Sequence, residues 1–306
     1  MINNIISNRY KVLEKISEGG MSFVYKGYDK KEKKDVAIKV LKNEIISSRF
    51  EDIIHFRSEA TTISKLNHDK IIKIYEVGNF FSQEEEKVDN SLSYIVMEYI
   101  NGESLNNILL KNKHLYLEKK VELLIKISET LEYIHNHGII HRDLKPSNVM
   151  ILNTNDKDEL KIKIIDFGLA QVKELSRLIK TDEIVGTFGY MSPEQSGIIK
   201  RNIDERSDLY SLGILSYQLL TGILPYQGKD ISSIIHQHIA KMPESISKIN
   251  NNIPEILDKI VLKLMEKEPE KRYQSARGLL NDLERWRLLK FFKVDIADID
   301  RELRLE

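Results

Sequence analysis

The stretch His141-Arg142-Asp143-Leu144-Lys145-Pro146-Ser147-Asn148, followed beyond two short apolar segments by Asp166-Phe167-Gly168, decides how these 306 residues are read. It sets two carboxylates, an ammonium and a carboxamide in one region of the chain. A carboxylate such as Asp143 can orient a hydroxyl and accept its proton. Asp166 and Asn148 offer the hard oxygen ligands that suit Mg²⁺, an ion that keeps waters on the rest of its octahedron.

Those groups match the needs of phosphoryl transfer from ATP, whose dense charge requires a bridging cation. Positioning and charge stabilisation carry most of that catalysis, so little covalent chemistry is asked of the protein. Two segments upstream fit the same chemistry. In Ser17-Glu18-Gly19-Gly20-Met21-Ser22-Phe23-Val24, between two strand signals, the missing side chains of Gly19 and Gly20 let backbone N–H groups close over phosphate oxygens. A plain hairpin turn fits that segment equally well. Val36-Ala37-Ile38-Lys39 reads as a strand whose lysine can pair with Glu59, 20 residues on, and be aimed at phosphates. Alone, a surface lysine on an edge strand is the simpler reading.

Working outward, Tyr10–Ser17, Phe23–Tyr28 and Asp35–Leu41 are short, β-rich and separated by turn residues. Ile53, Phe56, Ala60 and Ile63 recur at helical spacing, and strand signals resume at Ile71–Val77 and Ser93–Tyr99. The acidic run Gln83–Asn90 reads as a solvated hairpin excursion. After Asn101-Gly102 the texture turns helical. One long amphipathic helix carries Val121, Leu124, Ile125, Leu131 and Ile134 and ends near Gly138. The apolar segments Asn148–Leu152 and Lys161–Ile165 interrupt the helices. Helical patterns then cover Ser207–Leu220, Ile231–Ala240, the residues after Pro254, and Ser275 through Trp286. No internal repeat or low-complexity block is present.

Lys+Arg and Asp+Glu are both 47, so no global basic field points to nucleic acid or an anionic membrane. Zero Cys excludes disulfides and thiolate metal sites. The longest apolar stretch, Leu212 to Leu224, is broken by Gly213, Ser216, Gln218, Thr221 and Gly222, short of what a membrane helix needs. Residues 1–10 hold no apolar core for a signal peptide. The expectation is a cytoplasmic chain with no membrane segment of its own and no nucleic-acid partner; an anchor beyond Glu306 stays open.

The ordered set resembles the eukaryotic-like bacterial serine/threonine protein kinase family, over roughly Tyr10 to Trp286. The resemblance implies an α+β, bilobal protein-kinase fold: a small β-rich N-lobe with one main helix at 10–100 and a larger helical C-lobe at 101–287. An N-terminal extension at 1–9 and an amphipathic tail at 288–306 flank it. The tail would pack on the helical lobe, serve contacts between copies, or lead toward a further region.

By the same resemblance Asp143 is the catalytic base, and Lys145 contacts the γ-phosphate as in serine/threonine kinases. Lys39 and Glu59 form the phosphate-aiming pair, and Asn148 and Asp166 hold the metal. ATP with Mg²⁺, or Mn²⁺ in its place, is the implied cofactor. The loop Ser17, Glu18, Gly19, Gly20, Met21, Ser22 and Val24 covers the phosphates. Met97 is the gatekeeper, the backbones of Glu98 and Ile100 bond adenine, and Ala37 and Met150 sandwich its ring. His141, Phe167 and Ile63 resemble members of a regulatory apolar stack. Asp208 holds the catalytic-loop backbone, and Glu194 of Ser192-Pro193-Glu194 pairs with Arg272. The family's first and third loop glycines are replaced by Ser17 and Ser22. Ser22 is shared with bacterial members, while Ser17 implies an altered ATP affinity with activity preserved.

The segment from Asp166 to Glu194 resembles an activation segment. Thr181 matches a phosphorylated threonine, with Ser176 as a second candidate and Arg142 as the cation that would receive the phosphate. An unmodified loop threonine is the plain alternative. Thr187 braces the catalytic loop, or is another phosphosite. Protein substrates are the implied partners, and a homodimer would serve trans-autophosphorylation. Two other readings stand beside an active kinase: a pseudokinase used as a binding module, and a small-molecule kinase, which would lack the Ser192-Pro193-Glu194 segment.

Overall fold

Alternation of β-branched and aromatic residues builds an antiparallel sheet in the N-terminal part of the chain. In this computed structural model, residues 1–19, 22–42, 57–58, 60–81, 91–111, 115–154, 156, 159–167 and 188–291 are described. The chain divides into two units, Met1–Asn101 and Gly102–Glu306. The first holds β1 (Ile5–Ile6), β2 (Tyr10–Glu18), β3 (Ser22–Asp29), β4 (Lys34–Leu41), β5 (Ile74–Phe81) and β6 (Ser91–Glu98), in the order β1-β2-β3-β4-β6-β5.

Strand β4 shows how period two divides the labour of this sheet. Val36, Ile38 and Val40 are buried with Tyr10, Val12, Tyr25, Tyr94 and Val96 in one core. Burying each such side chain contributes about 1.5–3 kcal/mol relative to leaving it in water. Ala37, Lys39 and Leu41 turn to the opposite face. On that face Leu41 and Ile95 pack with Ala60, which belongs to helix α1, described at residues 57–58 and 60–64.

The structure adds detail at two strand positions. Residues 1–9, read as an extension, contribute β1, which pairs with β2 through Ile5↔Lys11 and Ile6↔Tyr10. Arg9 ties the segment down with two bonds to the Asp29 carboxylate, at 2.9 and 2.6 Å. A two-residue strand is too short to show a period, so only its pairing reveals it. The strand expected at Ile71–Val77 forms later, at Ile74–Phe81. Ile71 and Ile72 are buried ahead of it, and apolar burial alone does not distinguish a core loop from a ladder. The acidic run at 83–90 lies outside the described residues.

The second unit opens with a strand that the sequence did not announce. β7 (Gly102–Ser104) pairs with β8 (Val149–Leu152), which pairs with β9 (Ile162–Ile164). A Cβ at Gly102 would collide with the Ile151 carbonyl, so the close approach of β7 to β8 requires glycine there. Helices follow: α2 (Leu105–Leu110), α3 (Leu117–Asn136), α4 (Glu205–Thr221), α5 (Ile231–Ala240), α6 (Ile246–Ile249), α7 (Glu255–Leu264) and α8 (Ala276–Phe291). Helix α2 is capped by Ser104, whose hydroxyl accepts from the Asn107 N–H at 3.2 Å.

Helix α4 is buried along nearly its whole length, from Ser207 to Leu220. Gly213 lets it approach the end of α7, where a Cβ would meet Leu264 and Met265 at 2.8 Å. Leu212 and Leu220 of α4, Leu257 and Ile260 of α7, and Leu279 and Leu283 of α8 form the core. Helix α8 runs to Phe291, so it continues past residue 287. Its Trp286 is buried, and Lys290 bonds Glu118 of α3 at 2.8 Å. The rest of the tail, 292–306, lies outside the described residues. Among the described residues no helix is long and apolar enough to cross a membrane.

Candidate active site

Buried in the first turn of α4, the Asp208 carboxylate organises the loop that carries Asp143. Its two oxygens accept the backbone N–H groups of His141 and Arg142, each at 2.8 Å. His135 at the end of α3 adds a third contact at 2.8 Å to Oδ2. Burial alone would raise the Asp208 pKa, but the His135 bond and charge, with the His141 N–H, hold it below the usual range. The family resemblance implied Asp208 but not His135, because a histidine at a helix end carries no signal of its partner.

The loop backbone is unusual at two points. Arg142 and Asp166 adopt positive φ, 65° and 51°, without being glycine. Such residues cost on the order of 1–3 kcal/mol and persist where surrounding contacts over-determine them. Arg142 is held by Asp208 on its N–H and by Gln195 Nε2, which donates to its carbonyl at 2.7 Å. His141 is fully buried and stacks on Phe167 with ring centroids 4.6 Å apart. Burial keeps the His141 pKa below its ordinary value, against the pull of the Asp208 and Asp143 carboxylates. The neutral ring accepts the Asp143 N–H at Nδ1, 3.2 Å away.

On this loop the side chains converge. The Lys145 ammonium lies 2.9 Å from Asp143 Oδ2. Asn148 Nδ2 donates to the same oxygen at 3.0 Å, to the Asp143 carbonyl at 2.8 Å and to the Asp166 carbonyl at 3.3 Å. With the amide nitrogen turned to those oxygens, Oδ1 is the atom Asn148 has for a metal. Ile165 N donates to the Asn148 carbonyl at 2.9 Å, which brings the Asp166 segment alongside. Asp143, Lys145, Asn148 and Asp166 therefore stand together within the second unit, and Met150 follows on β8. The side-chain oxygens of Asn148 and Asp166 suit a hard divalent ion such as Mg²⁺, which takes one or two protein ligands and completes its shell with phosphates and water.

Below this loop, Glu194 and Arg272 form a buried pair. Arg272 Nη1 and Nη2 reach the two Glu194 oxygens at 2.7 and 2.9 Å. Its remaining donors bond the carbonyls of Glu266, Arg206 and Lys267 at 2.7 to 3.0 Å, so all five N–H groups are used. Ser207 Oγ donates to Glu194 Oε1 at 2.7 Å. Burial would raise the Glu194 pKa, and the Arg272 fork brings it below the ordinary value.

Beside the pair, Lys267 donates to Tyr226 at 2.7 Å and Tyr210 at 3.3 Å, and Tyr210 meets His238 Nδ1 at 3.0 Å. Burial, with Arg272 nearby, brings Lys267 down to about 7. Burial and the Lys267 charge push His238 down to about 3. His238 thus enters the fold neutral. Its stabilising contribution is complete above pH 6.5, the unfolded value, and is lost as pH falls toward 3. Thermal melts should show a loss of roughly 2–3 kcal/mol from this group by pH 4.5. A His238→Leu variant should be flatter over that window, and equal slopes would remove His238 from the acid sensitivity.

In the first unit, the strand register gathers the other expected residues. Val24 stands opposite Lys39, and Ala37 opposite Met97. Directly opposed residues share a face, and Ala37 and Lys39 are two apart, so these four side chains lie on one side of the sheet. Ser17 is opposite Val24, and Gly19 N donates to the Ser22 carbonyl at 2.9 Å, closing the turn. Glu18 is taken up by Lys15 at 2.5 Å and Lys42 at 2.8 Å, which bring its pKa down to about 2. The Glu98 N–H is used by the Lys73 carbonyl at 2.8 Å; Ile100 follows in the same segment. Gly20, Met21, Glu59, Ser176, Thr181 and Thr187 lie outside the described residues, as does the expected Lys39–Glu59 pair.

A family model described as protein kinase domain matches residues 10–282. The chain belongs to that family. Its fold is the α+β, bilobal protein-kinase fold, with a β-rich N-lobe and a helical C-lobe. Among its relatives is a probable serine/threonine-protein kinase of Clostridium perfringens, 37% identical over 93% of this chain and 39% of the relative. The serine/threonine-protein kinase PknB of Mycobacterium leprae is 36% identical over 91% of this chain and 43% of its own length. This kinase domain thus spans about two fifths of the length of these relatives. The Mycobacterium tuberculosis PknI kinase domain superposes with a TM-score of 0.70 at 21% identity, covering 93% of this chain and 98% of that one. Rad53 1-466 in complex with AMP-PNP gives 0.68 at 24% identity, over 90% and 64%.

Proposed function

We propose that this domain transfers the γ-phosphoryl group of ATP to serine and threonine hydroxyls of proteins. The observation that carries the proposal is the Asp143 carboxylate, held at Oδ2 by Lys145 and Asn148 and backed by the Asp208-anchored loop. In this reading Asp143 orients the attacking hydroxyl and accepts its proton. Lys145 offsets charge on the transferring group, which supports a serine/threonine acceptor. Asn148 Oδ1 and Asp166 hold a divalent ion, which bridges phosphate oxygens and neutralises their charge when bound. Lys39, the loop Ser17–Val24, Ala37, Met97, Glu98, Ile100 and Met150 are assigned to the nucleotide by family membership. ATP as donor supports a cytoplasmic site of action.

All the groups a pseudokinase usually lacks, at positions 39, 143 and 166, are present, which favours catalysis over scaffolding. Regulation is assigned to Thr181, phosphorylated in trans by a second copy, with Arg142 receiving the phosphate and Ser176 as the weaker site. The test incubates the chain with labelled ATP and histone, with Mg²⁺, with Mn²⁺ and with EDTA. Label on phosphoserine and phosphothreonine that EDTA abolishes is expected; metal-independent label or phosphotyrosine alone would overturn the reading. Intact-mass analysis of the same reaction should show a phosphate that Thr181→Ala removes, along with a lower rate. Equal phosphate count and equal rate would dismiss the switch.

A further inference from the structure

Asp208 accounts for only half of the hold on the catalytic loop, because it reaches N–H groups and leaves the Arg142 carbonyl to another partner. That partner is Gln195. Its Nε2 donates to the Arg142 carbonyl at 2.7 Å across 53 residues of chain. Its Oε1 accepts from Ser192 N at 3.0 Å and Ser192 Oγ at 2.9 Å, closing a capping box on the turn Pro193–Ser196. Gln195 is buried, 7% exposed.

The bond matters through the peptide it grips. The Arg142 carbonyl and the Asp143 N–H belong to the same planar unit. Gln195 holds the carbonyl, and His141 Nδ1 holds the N–H at 3.2 Å. With both ends fixed, the direction in which Asp143 leaves the backbone is set. The residue before it sits at φ 65°, a conformation that relaxes when its contacts are lost. Gln195 also lines a small cavity with Arg142, Asp143, Leu144 and Tyr190.

We propose that Gln195 is a positioning residue for phosphoryl transfer, acting on Asp143 through the Arg142–Asp143 peptide. The inference rests on the kinase reading above. Gln195 joins the anchored end of the segment after Tyr190 to the catalytic loop, so displacing one displaces the other. A small misplacement of a catalytic group costs rate, while binding contacts made elsewhere are untouched.

Two substitutions separate positioning from mere support. Gln195→Glu keeps an oxygen for Ser192 but turns a second oxygen on the Arg142 carbonyl. Gln195→Met is similar in size and loses both bonds. If Gln195 only caps the turn, the Glu variant is the better substitute in every measurement. If it positions Asp143, stability and turnover order oppositely: Gln195→Glu melts at or above Gln195→Met, yet its kcat is equal or lower. Turnover on histone is expected to fall about 10-fold in both variants, with the KM for ATP within about two-fold of wild type.

Wild-type kcat in either folded variant, or melting and turnover falling together with Met the worse, would overturn the proposal alone. Failure of both variants to fold would make Gln195 a stability element and overturn it too. A wild-type chain that transfers no phosphate in the same assay would instead sink the kinase reading.

Discussion

Asp143→Asn is expected to lower phosphoryl transfer to histone by about 10²–10⁴, the range for removing a positioned general base. The substitution keeps the shape of the side chain and an oxygen that can accept from Lys145 and Asn148, whose bonds to Oδ2 measure 2.9 and 3.0 Å. The neighbouring backbone is held by Asp208 and Gln195, neither of which touches the altered atoms. The loss should therefore appear in kcat, with metal-dependent nucleotide binding within a few-fold of wild type and the melting temperature little changed. Residual transfer above a tenth of wild type would remove Asp143 as the base. Loss of nucleotide binding together with rate would point to collapse of the loop.

The largest effect on stability is expected from Arg272→Met. The side chains of Arg272 and Glu194 are 0% and 1% exposed. Removing one partner of such a pair strands a buried charge and costs about 3–5 kcal/mol. For a unit of this size the melting temperature should fall by roughly 10 °C. Glu194 is bonded by Arg272 at 2.7 and 2.9 Å and otherwise by Ser207, so little remains to offset its charge. The double variant Arg272→Met with Glu194→Gln should recover more than half of the loss, because the stranded charge is gone. Purely additive losses would show that the two residues are not coupled. Arg272 also bonds the Glu266, Arg206 and Lys267 carbonyls, and the unrecovered part measures those contacts.

Helices and strands with strong period were readable because burial imposes a period directly on the sequence. The long helix expected from Val121, Leu124, Leu131 and Ile134 is Leu117–Asn136, and the strand around Lys39 is Lys34–Leu41. Short elements escaped for lack of a period: β1 spans two residues and β7 three. The onset of the β5 ladder was misplaced because Ile71 and Ile72 are buried without belonging to it. The order and identity of His141, Arg142, Asp143, Lys145, Asn148 and Asp166 carried the proposed chemistry, and folding brings Asp143, Lys145, Asn148 and Asp166 together on one loop and its neighbour.

Partnership is another matter. His135 and Gln195 are an ordinary histidine and an ordinary glutamine until folding sets one 2.8 Å from Asp208 and the other 2.7 Å from the Arg142 carbonyl. Residue type and spacing by themselves determined which groups are offered for the proposed chemistry and which faces of the strongly periodic helices and strands are buried. Only tertiary structure decided how the carbonyl of the peptide before Asp143 is gripped, because that bond joins residues 53 positions apart. A hydrogen bond across such a separation depends on where two elements pack, and no local pattern in the chain encodes that.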